Sequence, residues 1–249
     1  MIHFFRRIRQ GLLSQNRLSK YMPYAIGEIV LVVIGIIIAL QLNNLNQARK
    51  DRYYEVKMLT ELKTSLEHDI DHFKTCLVRL RVIDSAVTDF ISLAYNGYEK
   101  TDSMLLNPFN EKRWWHLRTG VDYRVNYGPY EAIKSSGMDK ISNDSLRNIL
   151  VTFYDFELSS FMELTKWYNR GFDEFLERQN AFLEVSQIRE NNGELTIVKD
   201  IPWDLYMRPE CIELLNDIGK STGWLTGRLT SFIPKMEDIV EILNSEITQ

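Results

Sequence analysis

Residues 22–45, with the sequence MPYAIGEIVLVVIGIIIALQLNNL, decide how the rest of the chain is built. Residues 29–40 are apolar throughout, and Glu28 is the one charged residue of the stretch. About 20 apolar residues with a rise of ~1.5 Å each span the ~30 Å hydrocarbon core of a bilayer. The stretch therefore predicts one transmembrane helix, which separates a basic head (residues 1–21) from a larger polar domain (residues 46–249).

A secretory signal peptide is the first alternative, because its apolar region, about 7–15 residues long, also lies near an N-terminus. The apolar stretch here is longer, and Gln41 occupies the last position of Ala39-Leu40-Gln41, where cleavage requires a small residue. A buried core helix is the second alternative, but almost no polar residue interrupts residues 29–40. We therefore expect an anchor that the mature protein retains.

Basic residues flank both ends of the predicted span, so the bias of lysine and arginine decides its orientation only weakly. Those before the span are Arg6, Arg7, Arg9, Arg17 and Lys20, and those after it are Arg49, Lys50, Arg52 and Lys57. Long domains cross a membrane largely regardless of charge, whereas the head would have to carry its uncompensated positive charges across. We therefore expect a cytoplasmic N-terminus and an extracytoplasmic domain.

The head has apolar residues three or four positions apart, at Ile2, Phe5, Ile8 and Leu12. This spacing is typical of an amphipathic helix on an anionic lipid surface, although a plain basic cytoplasmic tail explains the composition equally well. In either case the head is too short to contain a kinase or another output domain, which excludes a two-pass receptor.

Glu28 requires an explanation, because a carboxyl group in hydrocarbon is costly and by default marks a function or a partner. Gly35 and Ala39 lie further along the span and share the same face of the helix. Small residues four positions apart let two helices approach closely, and a polar group on that face can hydrogen-bond across the contact. Two other interpretations stay open: a side chain that reaches the headgroups, and an ion or proton pathway.

The domain that follows is predicted to be helical for most of its length. Residues 47–96 place apolar side chains three or four positions apart, which predicts one long helix with a single buried seam of bundle or coiled-coil type. Gly128-Pro129 predicts the start of a short helix. Residues 142–144 provide the cap of a second long helix, which we expect to end near Ile188.

The last part of the chain is predicted to be a turn, a short strand and a final helix. Residues 191–193 indicate the turn, residues 195–198 favour the strand, and Pro209 predicts the start of the helix. Pro234 is expected to kink or break this helix. Three glycines either form a ridge for close packing or mark a loop between two shorter helices: Gly219, Gly223 and Gly227. Together the elements predict an all-α fold, with one N-terminal transmembrane helix that continues into an elongated antiparallel helical bundle.

The aromatic and basic sequence Arg113-Trp114-Trp115-His116 is a candidate ligand or surface patch. Tryptophans among cations can stack on a sugar or an aromatic ligand. More often such a pair closes the end of a bundle, where it buries a large apolar area. We expect the second, structural role.

Two further sets of side chains resemble reactive sites but have simpler interpretations. His68, His72 and Cys76 recur one helical turn apart, as zinc ligands can, but no fourth ligand is near and a solvated polar face explains them better. Cys76 and Cys211 would both lie in an oxidising compartment, where a disulfide can form. Because Cys211 occupies a seam position, an inert buried thiol is the expected state.

Three segments carry a resemblance to a known family: FFRRIRQ (Phe4–Gln10), YAIGEIVLVVIGIIIALQLNN (Tyr24–Asn44) and SSGMDKISNDSLRNIL (Ser135–Leu150), followed by Phe153 and Tyr154. The first two resemble the opening of a single-pass membrane family of Bacteroidota that is a domain of unknown function, and the third resembles its middle region. The resemblance implies an envelope protein with a helical extramembrane domain. With the orientation expected above, the chain would be a single-pass protein of the bacterial inner membrane whose domain is periplasmic. It implies no catalytic residue, because none is established for the family.

We expect a membrane-anchored structural or interaction module that contacts the membrane and either a second copy of itself or another membrane protein. The alternative is a periplasmic ligand-binding subunit that signals through a partner and has a pocket near Trp114, Trp115 and Tyr130. An enzyme is not expected, because the sequence has no serine–histidine or cysteine–histidine pairing and no phosphate loop. No metal or other cofactor is expected, and the net charge of −4 without a basic patch beyond the head argues against nucleic acid.

Overall fold

The fold is described from a computed structural model, which covers residues 18–96, 113, 115–182, 186–191, 193–199 and 208–248. The predictions for residues 1–17 and for Trp114 lie outside these residues. The elements, in chain order, are α1 (Leu18–Asn96), α2 (Gly128–Ser136), α3 (Asp144–Val151), α4 (Ser159–Phe182), β1 (Ser186–Asn191), β2 (Glu194–Lys199) and α5 (Pro209–Thr248). Helices account for most of the described residues, so the predicted all-α class is confirmed.

Helix α1 is one uninterrupted helix of 79 residues. It contains both the predicted transmembrane stretch and the predicted helix of residues 47–96. The chain divides within α1 into two compact units, Met1–Val56 and Lys57–Gln249. The first unit contains the exposed apolar stretch, and the second contains the hydrophobic core.

The core of the second unit is built on the predicted seam of α1. The seam residues that are buried on this helix are Leu59, Leu62, Leu66, Ile70, Phe73, Leu80 and Val87. The spacing of three and four also predicts Ile91 as a seam residue, which is wrong: Ile91 is 43% exposed, because Phe90 takes the buried position at this end of the helix. Phe73 packs against Phe161 of α4 and Phe232 of α5, whose own rings stack with their centroids 4.5 Å apart. Three helices therefore meet in one aromatic cluster.

The second long helix begins where the sequence predicts, because the Asn143 side chain accepts hydrogen bonds from two backbone N–H groups of its first turn. It continues from α3 through a π-helical segment, Thr152–Leu158, into α4. The wider turns of this segment bury the adjacent Phe153 and Tyr154, and leave Phe156 70% exposed. The predicted end near Ile188 is wrong, since Ser186 already belongs to β1.

Strands β1 and β2 form an antiparallel hairpin, with Ser186 opposite Lys199 and Asn191 opposite Glu194. Gly193 in the turn has a φ of 82°, a conformation that glycine adopts without steric cost. The predicted strand at residues 195–198 lies within β2. Its β-branched side chains explain why the chain forms a strand there rather than more helix.

Helix α5 begins at Pro209 as predicted and runs through Pro234, so the predicted break at that proline does not occur. Buried residues on both sides of the proline, among them Phe232 and Met236, hold the two halves in the core. The three glycines also lie inside the helix rather than in a loop. A Cβ atom at Gly219 would lie 3.3 Å from a Val87 methyl group, so close packing is confirmed at this glycine alone of the three.

Candidate functional site

Arg113 and residues 115–127, here called the strap, precede α2 in the chain and run along the surface of α1. Leu117, Val121 and Tyr123 of the strap are buried. A Cβ atom at Gly120 would lie 3.2 Å from the Phe172 ring of α4, so the strap passes close to that helix as well. The strap therefore fills the space between two helices of the domain.

Polar side chains of α1 bind the backbone of the strap at its far end. The Ser65 hydroxyl donates to the Asn126 carbonyl over 3.2 Å, and the Asn126 N–H donates to the Asp69 carboxylate over 3.2 and 3.3 Å. The His72 Nε2–H donates to the Asp122 carbonyl over 2.9 Å. Because carbonyl oxygens only accept, this bond places the proton of a neutral His72 on Nε2.

These polar side chains belong to a row on α1 that continues towards the middle of the strap. Cys76 Sγ lies 3.6 Å from the Asp122 carbonyl, and Arg79 donates to the carbonyls of His116 and Thr119, each over 3.2 Å. Arg79 also donates to His116 Nδ1, so a neutral His116 carries its proton on Nε2. The row has alternating spacings of four and three and so lies on one face of α1: Ser65, Asp69, His72, Cys76 and Arg79.

The three side chains spaced like zinc ligands, His68, His72 and Cys76, therefore have different roles. His72 binds the strap and Cys76 is buried, so a solvated polar face describes His68 alone. Burial raises the pKa of the Cys76 thiol to about 11, which keeps it a neutral thiol. No group of three or more potential metal ligands occurs among the described residues.

Both cysteines are free and buried, so the alternative of a disulfide between Cys76 and Cys211 is wrong. Burial raises the pKa of Cys211 to about 12. The predicted burial of Cys211 in the seam of α5 is therefore confirmed, and an inert thiol stays its expected state.

Asp69, like Ser65 and Arg79, belongs to this site but was not predicted from the sequence. It is 6% exposed, and burial raises its pKa despite the hydrogen bond from Asn126 and the nearby histidines. The position of Asp69 in the sequence predicts its burial, because it lies three positions after Leu66 and four before Phe73, both of them seam residues. A carboxylate in a seam position indicates a specific partner, which is the strap.

Replacing Asp69 with asparagine is expected to change how stability depends on pH. Because the folded state raises the pKa of Asp69 above 3.8, it holds that proton more tightly than the unfolded chain does. The contribution of Asp69 to the free energy of unfolding is therefore greatest below pH 3.8. It falls as the pH rises to the folded-state pKa and is constant above that pKa. Between about pH 3 and pH 7, the urea midpoint of Asp69→Asn should therefore rise relative to that of the wild type as the pH rises. The same substitution at exposed Asp71 is the control, and equal behaviour of the two variants would contradict the prediction.

The candidate patch around residue 115 lies at the other end of the strap. Arg113 forms an ion pair of 2.5 Å with Asp89 of α1. Trp115 is 59% exposed, with the Arg118 guanidinium 5.6 Å from its ring centre. A buried plug is therefore wrong for Trp115, because its ring lies at the surface beside a cation.

Arg113 and His116 also line a surface cleft of about 360 Å³, here called the arginine cleft. The other lining residues come from α1: Val78, Arg81, Val82, Ser85 and Ala86. Tyr130, which sequence analysis places near the same pocket, is 1% exposed and stacks on Tyr154 with ring centres 4.3 Å apart. The cleft thus contains part of the predicted patch but not this tyrosine.

The candidate contact residues Glu28, Gly35 and Ala39 are all exposed on α1. A Cβ atom at Gly35 would meet nothing within 4 Å, so this face is open to a neighbour. The large apolar side chains of residues 22–45 are between 46% and 73% exposed. By length and composition this part of α1 is able to cross a membrane.

A family model described as a family of unknown function, DUF6090, matches residues 28–201. The match includes most of the exposed apolar stretch, the strap and the hairpin up to the end of β2. No curated protein and no solved structure matches the chain.

Proposed function

We propose that this chain, which belongs to the family of unknown function DUF6090, is a single-pass membrane protein that acts as an interaction module. The observation that carries the proposal is the exposed apolar stretch of α1, residues 22–45. A core helix of a soluble protein is mostly buried, whereas none of the most apolar part of this stretch is. An apolar surface of this extent requires lipid or a partner.

The interaction is a contact with a second transmembrane helix, and it is made by the face of α1 that contains Glu28, Gly35 and Ala39. Gly35 and Ala39 permit close approach of a second helix, and the Glu28 carboxyl can hydrogen-bond across the contact. The partner is a second copy of this chain or another membrane protein. The chain performs no catalytic step in this function and needs no cofactor.

The head is cytoplasmic in this proposal, and residues 46–249 lie on the periplasmic side of a bacterial inner membrane. The uncompensated basic residues of the head support this orientation. The compact unit Lys57–Gln249, which has its own core, is the part that crosses.

Replacing Gly35 with leucine is expected to weaken the contact, because four additional carbon atoms hold the helices apart. Polar and small-residue contacts in membranes contribute about 0.6–2 kcal/mol, so association should weaken about threefold to thirtyfold. Glu28→Leu should weaken it as well. The measurement is the mass and composition of the full-length particle in mild detergent, over a range of protein concentrations.

Gly27→Leu is the matched control, because a Cβ at Gly27 also meets nothing within 4 Å, and Gly27 lies on another face of the helix. The Gly27→Leu variant should form a particle with the same mass and composition as the wild type. If Gly35→Leu and Glu28→Leu also leave its mass and composition unchanged, the proposed contact is refuted.

A ligand-binding subunit that signals through a partner is the second candidate function. The arginine cleft favours it, because it combines apolar and hydrogen-bonding side chains in a volume within the usual range of ligand sites.

A further inference from the structure

The arginine cleft differs in its charge from three other clefts of the domain. Its hydrogen-bonding side chains are Arg81, Ser85, Arg113 and His116, and no carboxylate of the described residues lines it. Three other clefts are each lined by at least one carboxylate, and the one between α1 and α5 has four, from Glu67, Asp71, Glu237 and Glu241. A cleft lined by cations and hydrogen-bond donors attracts an anion.

The positive charge of the cleft is only partly neutralised. Asp89 pairs with Arg113 from outside the lining. Arg81 is exposed and has no ion pair within the described part of the chain. Arg79 bonds to uncharged groups of His116 and Thr119, so its charge adds to that of the cleft. A guanidinium offers two parallel N–H groups, the geometry that carboxylates and phosphates accept best.

The remaining wall is apolar. Val78 is 59% exposed and Val82 is 38% exposed, although the neighbouring aliphatic side chains of Leu80 and Ile83 are fully buried. With Ala86 they form a strip beside the arginines. An apolar strip next to donors matches a ligand that has an anionic end and an apolar body.

We propose that the arginine cleft binds a small organic anion, a carboxylate or phosphate monoester that bears an apolar group. The guanidinium groups of Arg81 and Arg113 hold the anion, and the apolar group lies on Val78 and Val82. Binding does not involve the Glu28 face of α1. Gly35→Leu should therefore leave it unchanged, and failure of this proposal is distinguishable from failure of the proposed helix contact.

The test uses phenyl phosphate as the probe, with calorimetric titration of the full-length protein in uncharged detergent micelles. A dissociation constant on the order of 1 mM or tighter is expected for a ligand of this size. Phenol, which lacks the anion, and inorganic phosphate, which lacks the ring, should each bind about tenfold more weakly. Either of them binding as tightly as phenyl phosphate overturns the proposal.

Two variants locate the binding in the cleft. Arg81→Gln removes an exposed charge without breaking an ion pair of the described chain and should weaken binding about tenfold. Ser85→Phe fills the cleft and should abolish binding, while an unchanged urea midpoint shows that the fold is intact. Arg228→Gln is the matched control, since that guanidinium lies 4.6 Å from the Trp224 ring centre and outside the cleft. Wild-type binding by Arg81→Gln, or an equal loss in Arg228→Gln, overturns the proposal.

Discussion

Replacing Phe73 with alanine is expected to lower the free energy of unfolding of the domain by about 3–5 kcal/mol, the usual loss for a buried phenylalanine. Phe73 is fully buried and lies at the point where α1, α4 and α5 meet. Its ring centre is 5.5 Å from that of Phe161 and 6.5 Å from that of Phe232. Alanine would leave a cavity that three helices border, and none of them can close it without losing its own contacts.

Phe156→Ala is the matched control, because it removes the same atoms from a ring that is 70% exposed. That variant should stay within about 0.5 kcal/mol of the wild type. Urea unfolding of the full-length protein in detergent, followed by near-ultraviolet circular dichroism, reports aromatic packing rather than total helix content. Equal losses in the two variants would show that Phe73 does not occupy the core position described here.

Replacing both Ile34 and Ile37 with arginine is expected to prevent stable insertion of the apolar stretch. Each arginine near the centre of a span costs about 2.5–3.5 kcal/mol, so the pair costs about 5–7 kcal/mol, or more than about a thousandfold in the insertion equilibrium. Both side chains are about half exposed and lie on the side of α1 away from Glu28. The loss is therefore separate from any effect on the proposed helix contact.

The measurement is the activity of a reporter fused after Gln249 that functions only outside the cytoplasm, together with the fraction of protein in alkali-washed membranes. The wild type and the control Ile34→Leu/Ile37→Leu should be active and sediment with the membranes. The arginine pair should lose both signals. Reporter activity that is unchanged by the arginines would contradict a transmembrane role for this stretch, and a wild-type fusion active only in the cytoplasm would contradict the proposed orientation.

The starts of the helices follow from local chemistry and are therefore visible in the sequence. Asn143 caps α3 with its own side chain, and Pro209 suits a first turn whose N–H groups have no partner in the helix. Gly193 likewise marks the hairpin turn, because a positive φ has a low cost only without a Cβ atom. Each of these signals acts within about four residues of itself.

The site depended on contacts between distant parts of the chain. The partner of Asp69 is evident only in the folded chain, because the Asn126 N–H donates to its carboxylate and nothing near Asp69 in sequence supplies that bond. The exposure of Trp115 has the same origin, since it depends on how the strap lies against α1. Arg113 and His116 of the candidate patch line the arginine cleft, whereas Arg81, which lines it with them, lies 32 positions before Arg113 and is not part of the predicted patch.

The apolar stretch 22–45, the order of the helices and most of their starting points could be predicted from the residues alone. These properties depend on composition and on short-range backbone chemistry. Three features became visible only in the folded chain: α5 continues through Pro234, residues 152–158 form a π-helical segment, and Arg81 and Arg113 line one cleft. The physical reason is that burial against distant residues outweighs local preference: packing on both sides of Pro234 exceeds the loss of one helical hydrogen bond.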